Sequence, residues 1–221
     1  MSDTEISFEK IQELFSKAEY DIVKPLLKKY LSLHTDNPTA YKLYGNTFAY
    51  TGYLNKARLV WRGALKKFPE NTDFLYNLAL SGVLSGKPAK IYLKKLLKIN
   101  PKDADAISLL AQIAKDNGNY KLAIKYWNTA LSITPDNVEY MNNIGLSYAI
   151  LESFGKASLW YKKALAIDEN YALAYYNLSC AQFEIGEYEE AKKNAEKSME
   201  LDPTTHANQA MELINKIKQK I

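Results

Sequence analysis

An all-α stack of helix pairs is the fold this sequence predicts, and three parallel registers predict it. Ala57, Ala89, Ala123, Ala157 and Ala191 stand 32, 34, 34 and 34 residues apart. Pro69, Pro101, Pro135 and Pro203 form a second register, with Glu169 in the fourth place, and Trp61, Leu93, Trp127, Tyr161 and Ala195 form a third. Self-similarity at this period marks an α-solenoid, in which each helix-turn-helix unit buries its apolar side only against its neighbours.

The units follow in order. Segment 4–37 is a degenerate copy: Leu14, Ala18, Tyr20, Val23, Leu27 and Tyr30 keep register, but Ile11 stands where a small residue belongs. A terminal repeat lacks a preceding neighbour, so such relaxation suits an N-terminal cap. Pro25, early in its second helix, removes one backbone hydrogen bond. Segment 38–71 is the clearest. Tyr41, Tyr44, Gly45 and Phe48 give the i, i+3, i+4, i+7 pattern of one buried face, Gly52 ends that helix in a left-handed cap, and Leu54, Ala57, Trp61, Ala64 and Leu65 form the next stripe. Small residues at 45 and 57 admit a close approach, and the indole at 61 fills the space beyond it. Segment 72–103 is two residues short at Ser85-Gly86-Lys87-Pro88, which predicts a shortened second helix with Pro88 at its start. Segments 104–137, 138–171 and 172–205 repeat the full unit. Segment 206–221 ends the chain with an amphipathic helix, apolar at Ala207, Ala210, Met211, Ile214 and Ile217, that caps the stack.

Composition narrows the function classes. Of 221 residues, 47% are hydrophobic and 24% charged, ordinary for a folded domain. The net charge of +4 comes mostly from lysine spread along the chain, as in Lys66-Lys67 and Lys162-Lys163, which reads as solvated helix faces rather than a nucleic-acid surface. A single cysteine, Cys180, rules out an intramolecular disulfide. Met1 to Lys10 is polar and acidic, unlike a signal peptide, and no apolar run reaches the ~18 residues of a membrane span. The expectation is a single cytoplasmic solenoid over residues 1–221.

These positions resemble the tetratricopeptide repeat (TPR) family. Its pattern of a bulky residue, Leu, a small residue and Tyr in the first helix, then Ala, an aromatic and Ala in the second with an exit Pro, is met by Ile107, Leu110, Ala111, Ala114, Tyr120, Ala123, Trp127, Ala130 and Pro135. It recurs in Met141, Ile144, Gly145, Tyr148, Ala157, Tyr161 and Ala164, and again in Tyr175, Leu178, Ser179, Tyr188, Ala191 and Pro203. The resemblance implies a right-handed superhelix whose first helices line a concave groove that holds a peptide segment of a partner protein. Carried onto this sequence, the implied groove contributes Lys42, Asn46 and Tyr50, then Tyr76, Asn77 and Leu80, with Gln112 following. Asn142, Asn143, Leu146 and Ile150 come next, and Tyr176, Asn177 and Phe183 last. Each such position either faces a ligand or packs on a neighbouring helix. Amides offer both donor and acceptor to an extended backbone, and the aromatic and aliphatic members bury apolar side chains.

Chaperone-binding relatives carry a carboxylate clamp of Lys and Asn, then Asn, then Lys and Arg. Lys42, Asn46 and Asn77 match its first three places, but Asp105 and Leu109 occupy the last two, and an Asp there repels a carboxylate. Nothing supports catalysis, a cofactor or a small-molecule substrate. His34 and His206 lack ligand-spaced companions, Cys180 has no neighbouring His, and no phosphate-binding loop or HExxH motif occurs. The leading reading is a non-enzymatic scaffold or adaptor. A structural or assembly subunit is the alternative, acting by self-association or through a Lys-rich outer face with Tyr126, Trp127 and Tyr161 nearby. RNA binding ranks below both.

Overall fold

The computed structural model describes residues 7–220, and residues 1–6 and Ile221, the extreme ends of the first repeat and of the capping segment, lie outside them. Thirteen helices and no strand occur among the described residues, an all-α helical repeat. They fall into two compact units, Met1–Pro101 and Lys102–Ile221.

The first unit holds three helix pairs: α1 (Phe8–Ser16) with α2 (Tyr20–Leu33), α3 (Pro38–Tyr50) with α4 (Leu54–Lys67), and α5 (Thr72–Leu84) with α6 (Lys90–Ile99). One cluster joins Ile11, Val23, Leu27, Leu31 and Ala40, and a second joins Ala57, Trp61, Ala64, Phe74 and Leu78. Ile11, the departure from small residues, is only 1% exposed and fills the end of the first cluster. At Gly45 the contact is as close as a side-chain-free position allows: a Cβ there would stand 1.9 Å from Trp61 Nε1. Pro25 lies exposed inside α2. Helix α6 has ten residues where α4 has fourteen, and the turn before it folds tightly onto α5, with Lys87 N–H donating to the Gly82 carbonyl at 2.8 Å.

The second unit holds α7 (Ala104–Asp116) with α8 (Tyr120–Leu131), α9 (Val138–Ile150) with α10 (Phe154–Ile167), α11 (Ala172–Glu184) with α12 (Tyr188–Leu201), and a final α13 (Ala207–Ile217). Gly145 repeats the arrangement of Gly45, facing the Tyr161 ring, whose Cε1 would lie 2.5 Å from an added Cβ. Helix α13 packs on α12 and α11 through Ala210, Leu213, Ile214 and Ile217. Met211, expected in that stripe, is instead 45% exposed, because one residue past Ala210 turns about 100° away, and Leu213 completes the face. Trp127 and Tyr161, expected beside an outer docking face, are each 1% exposed and belong to the core.

Two devices recur along the chain. Asn37, Asn71, Asp103 and Asn137 each accept a hydrogen bond from the backbone N–H three residues on, capping α3, α5, α7 and α9. Between the helices of each pair one residue takes a left-handed conformation: Ala18, Gly52, Gly86, Gly118, Glu152 and Gly186. Ala18 (φ 59°) and Glu152 (φ 55°) hold it at a steric cost that glycine avoids.

Candidate peptide-binding surfaces

The first helices of each unit carry the side chains expected to meet a ligand. In the first unit, Asn77 Nδ2 on α5 donates to Asn46 Oδ1 on α3 at 3.4 Å, and Lys42 Nζ on α3 meets Asp73 Oδ1 on α5 at 2.9 Å. The i, i+4 spacing of Lys42 and Asn46, and of Asp73 and Asn77, stacks the two links along the same pair of helices. Tyr76 and Leu80 are half-buried. Tyr50, at the end of α3, is 63% exposed and its ring stacks on Tyr20 at 5.4 Å.

The second unit is built in the same way. Asn177 Nδ2 on α11 donates to Asn142 Oδ1 on α9 at 2.9 Å. Asn142 is only 4% exposed, so it serves to hold the Asn177 amide, whose own carbonyl oxygen makes no hydrogen bond among the described residues. The neighbouring Asn143 carboxamide is half-buried and makes none either. Leu146 is half-buried and Ile150 exposed, while Gln112 Nε2 on α7 is occupied by Asp116 Oδ1 at 2.6 Å. Tyr140 Oη on α9 donates to Asp105 Oδ1 on α7 at 3.0 Å.

Next to Asn177, Tyr176, Cys180 and Phe183 on α11 face Gln209, Glu212 and Lys216 on α13 across a cavity of about 240 Å³. Burial, with Cys180 alongside, pushes the Tyr176 phenol up to about 12, and burial likewise raises the Cys180 thiol. Both stay protonated at neutral pH, so the cavity offers hydroxyl and thiol hydrogen-bonding groups rather than a nucleophile. His206 stacks on the Tyr176 ring at 5.2 Å, and His34 stacks on Tyr30 at 4.3 Å. No group of three or more metal-ligating side chains occurs among the described residues, and none of their helices is long and apolar enough to cross a membrane.

Sequence reasoning missed the partners: Asp73 for Lys42, Tyr140 for Asp105, and the contribution of α13 to the wall beside Tyr176. It also missed Arg58, a 9% exposed cation on α4. The one available signal was composition, since Arg58 and Arg62 are the only two arginines of the chain.

Comparison with known proteins agrees with the repeat. The tetratricopeptide repeat profile matches residues 108–172 and residues 172–205. The protein CTR9 homolog of Arabidopsis thaliana is 25% identical over 202 residues, which cover 86% of this chain and 18% of that protein. The chain spans about a third or less of the curated relatives it matches first, 18%, 35% and 17% of their lengths. Among solved structures, the first TPR of Spaghetti (RPAP3) bound to the HSP90 peptide SRMEEVD is 27% identical with a TM-score of 0.51, covering 54% of this chain and 93% of that one. YrrB, a TPR protein with an unusual peptide-binding site, shares the fold at 18% identity and a TM-score of 0.65, covering 87% of this chain and 97% of that one. With its phased small residues, its helix pairs and its matching profiles, the chain belongs to the tetratricopeptide repeat family.

Proposed function

We propose that the chain is a non-enzymatic interaction scaffold that holds an extended peptide segment of a partner against its first helices. The observation that carries this reading is the pair of asparagine links, Asn46 with Asn77 and Asn142 with Asn177. Each link fixes one carboxamide by the next and leaves hydrogen-bonding capacity on the outward member, which is what a peptide backbone requires. Apolar side chains stand beside them, Leu80 and Tyr76 in the first unit, Leu146, Tyr176 and Phe183 in the second, as a peptide-holding surface needs. The peptide bound to RPAP3 and the peptide-binding site of YrrB support the same class of function.

A carboxylate clamp receives no support from the side chains. Lys42 is already neutralised by Asp73, and Asp105 presents a carboxylate where a clamp needs a cation. Self-association through an aromatic outer face is weakened by the burial of Trp127 and Tyr161. The test is a combined Asn143→Ala, Tyr176→Ala, Asn177→Ala variant assayed for capture of partners that co-purify with the wild-type protein from its native cell. Loss of capture with an unchanged helical circular dichroism spectrum is expected. Undiminished capture removes this surface from the function.

A further inference from the structure

On the second helices of the first unit, away from every residue discussed above as a peptide contact, lies an open cavity of about 500 Å³. One wall is a face of α4, where Asn55, Arg58, Leu59 and Arg62 follow the i, i+3, i+4, i+7 spacing of a helix surface. Lys87 and Pro88 of the turn, with Ile91 and Tyr92 of α6, form the other. The two-residue deletion in this repeat leaves α6 short and the turn drawn onto Gly82, and these same residues line the opening.

The lining contains three cations and no carboxylate. Arg58 is 9% exposed, and its Nη1 donates to the Leu78 carbonyl at 3.0 Å and to Ser81 Oγ at 2.7 Å. Its remaining guanidinium nitrogens make no hydrogen bond among the described residues, and neither does the Arg62 side chain. Lys87 Nζ is held at 2.6 Å by the neutral Asn55 carboxamide, which positions the ammonium without cancelling its charge. A cation withdrawn from water and left without a counter-ion is unfavourable unless something supplies one, and a guanidinium fork takes a carboxylate in two parallel hydrogen bonds. Flanking these charges, Leu59 and Ile91 are each 68% exposed, so the site is apolar at its edges.

We propose that this cleft binds an acidic peptide segment, one in which Asp or Glu side chains meet Arg58, Arg62 and Lys87 while adjacent Leu or Ile side chains cover Leu59 and Ile91. The charge complementarity selects an anion, and the aliphatic rim selects a polypeptide over inorganic phosphate or a nucleic-acid backbone. The cavity falls within the size range of small binding sites, about 300–1,000 Å³, enough for a few side chains. This interaction is independent of the surface on the first helices.

The test is selection of phage-displayed random dodecapeptides on the whole protein, on an Arg62→Glu, Lys87→Glu double variant, and on the Asn143, Tyr176, Asn177 triple alanine variant. Both substituted cations are exposed, and circular dichroism checks that each variant stays folded. Enrichment of Asp or Glu next to Leu or Ile is expected on the wild type and on the triple variant, and its loss on the double variant. An enriched peptide, followed by fluorescence anisotropy, should bind the double variant at least about tenfold more weakly, and the wild type about tenfold more weakly in ~300 mM than in ~50 mM salt. Enrichment of neutral or basic peptides, or acidic enrichment that survives on the double variant, overturns the proposal. So does displacement of the peptide by equimolar inorganic phosphate or a short RNA, or light scattering that shows a second copy of the chain occupying the cleft.

Discussion

Gly45→Ala and Gly63→Ala are the same chemical change in adjacent helices, and the structure predicts opposite signs. In a helix interior the substitution is favourable by about 1 kcal/mol, because glycine loses more backbone freedom on folding. At Gly63, on α4, an added Cβ meets no heavy atom within 4 Å, so the gain should appear as about 0.5–1 kcal/mol of added stability. At Gly45 the Cβ would stand 1.9 Å from Trp61 Nε1 and 2.5 Å from two ring carbons. The indole is 3% exposed and held by the core, so it cannot swing into solvent. Overpacking of this kind costs about 1–3 kcal/mol, and the short distances put it at the upper end. Net of the helix gain, Gly45→Ala should be destabilised by about 1–2 kcal/mol, and the two variants should differ by about 1.5–3 kcal/mol. Urea unfolding followed by circular dichroism, with the slope checked for constancy, measures both. A Gly45→Ala protein as stable as the wild type would refute the closeness of α3 to α4 that the helix pairing rests on.

Two further outcomes follow from backbone and burial. Glu152→Gly should raise stability by about 0.5–1 kcal/mol, since Glu152 alone breaks the glycine pattern in the second unit at φ 55°; a melting temperature equal to or below that of the wild type would contradict the strain. Cys180, its thiol raised above the usual 9.0 by burial, should be alkylated by iodoacetamide more slowly than a free thiol at pH 8, with a rate still climbing above pH 9. Because the raised group favours its protonated form in the folded state, the associated stability is present below pH 9 and declines as pH rises past it. A rate that levels off below pH 9 would be the opposite result.

The fold was legible in the chain because the repeat writes a steric requirement at fixed intervals. Gly45 and Gly145 are small for the reason that Trp61 and Tyr161 are large, since each pair shares one space, and Ala111 with Trp127 keeps the same register in the sequence. The same periodicity locates the buried faces to within a position, which is why it groups Met211 with Ile214 although Leu213 is the residue that packs. What periodicity does not encode is how polar side chains meet across neighbouring helices. Lys42 with Asp73, and Asn177 with Asn142, lie 31 and 35 residues apart and depend on side-chain reach and rotamers. The left-handed Glu152 was hidden for a different reason: glutamate disfavours that conformation, and only the surrounding helix pair imposes it.

Trp61 and Trp127 sit in equivalent registers of different units but in unlike surroundings. The Trp61 indole N–H is buried with no acceptor among the described residues, whereas Trp127 Nε1 donates to Ser108 Oγ at 3.2 Å. An indole without a polar partner emits at shorter wavelength than one that hydrogen-bonds, and the third tryptophan, the half-buried Trp160, lies in the second unit with Trp127, so Trp61 is a distinct optical label for the first unit. Excited together during heating, the indoles would reveal whether residues 1–101 and 102–221 melt as one cooperative body or in succession.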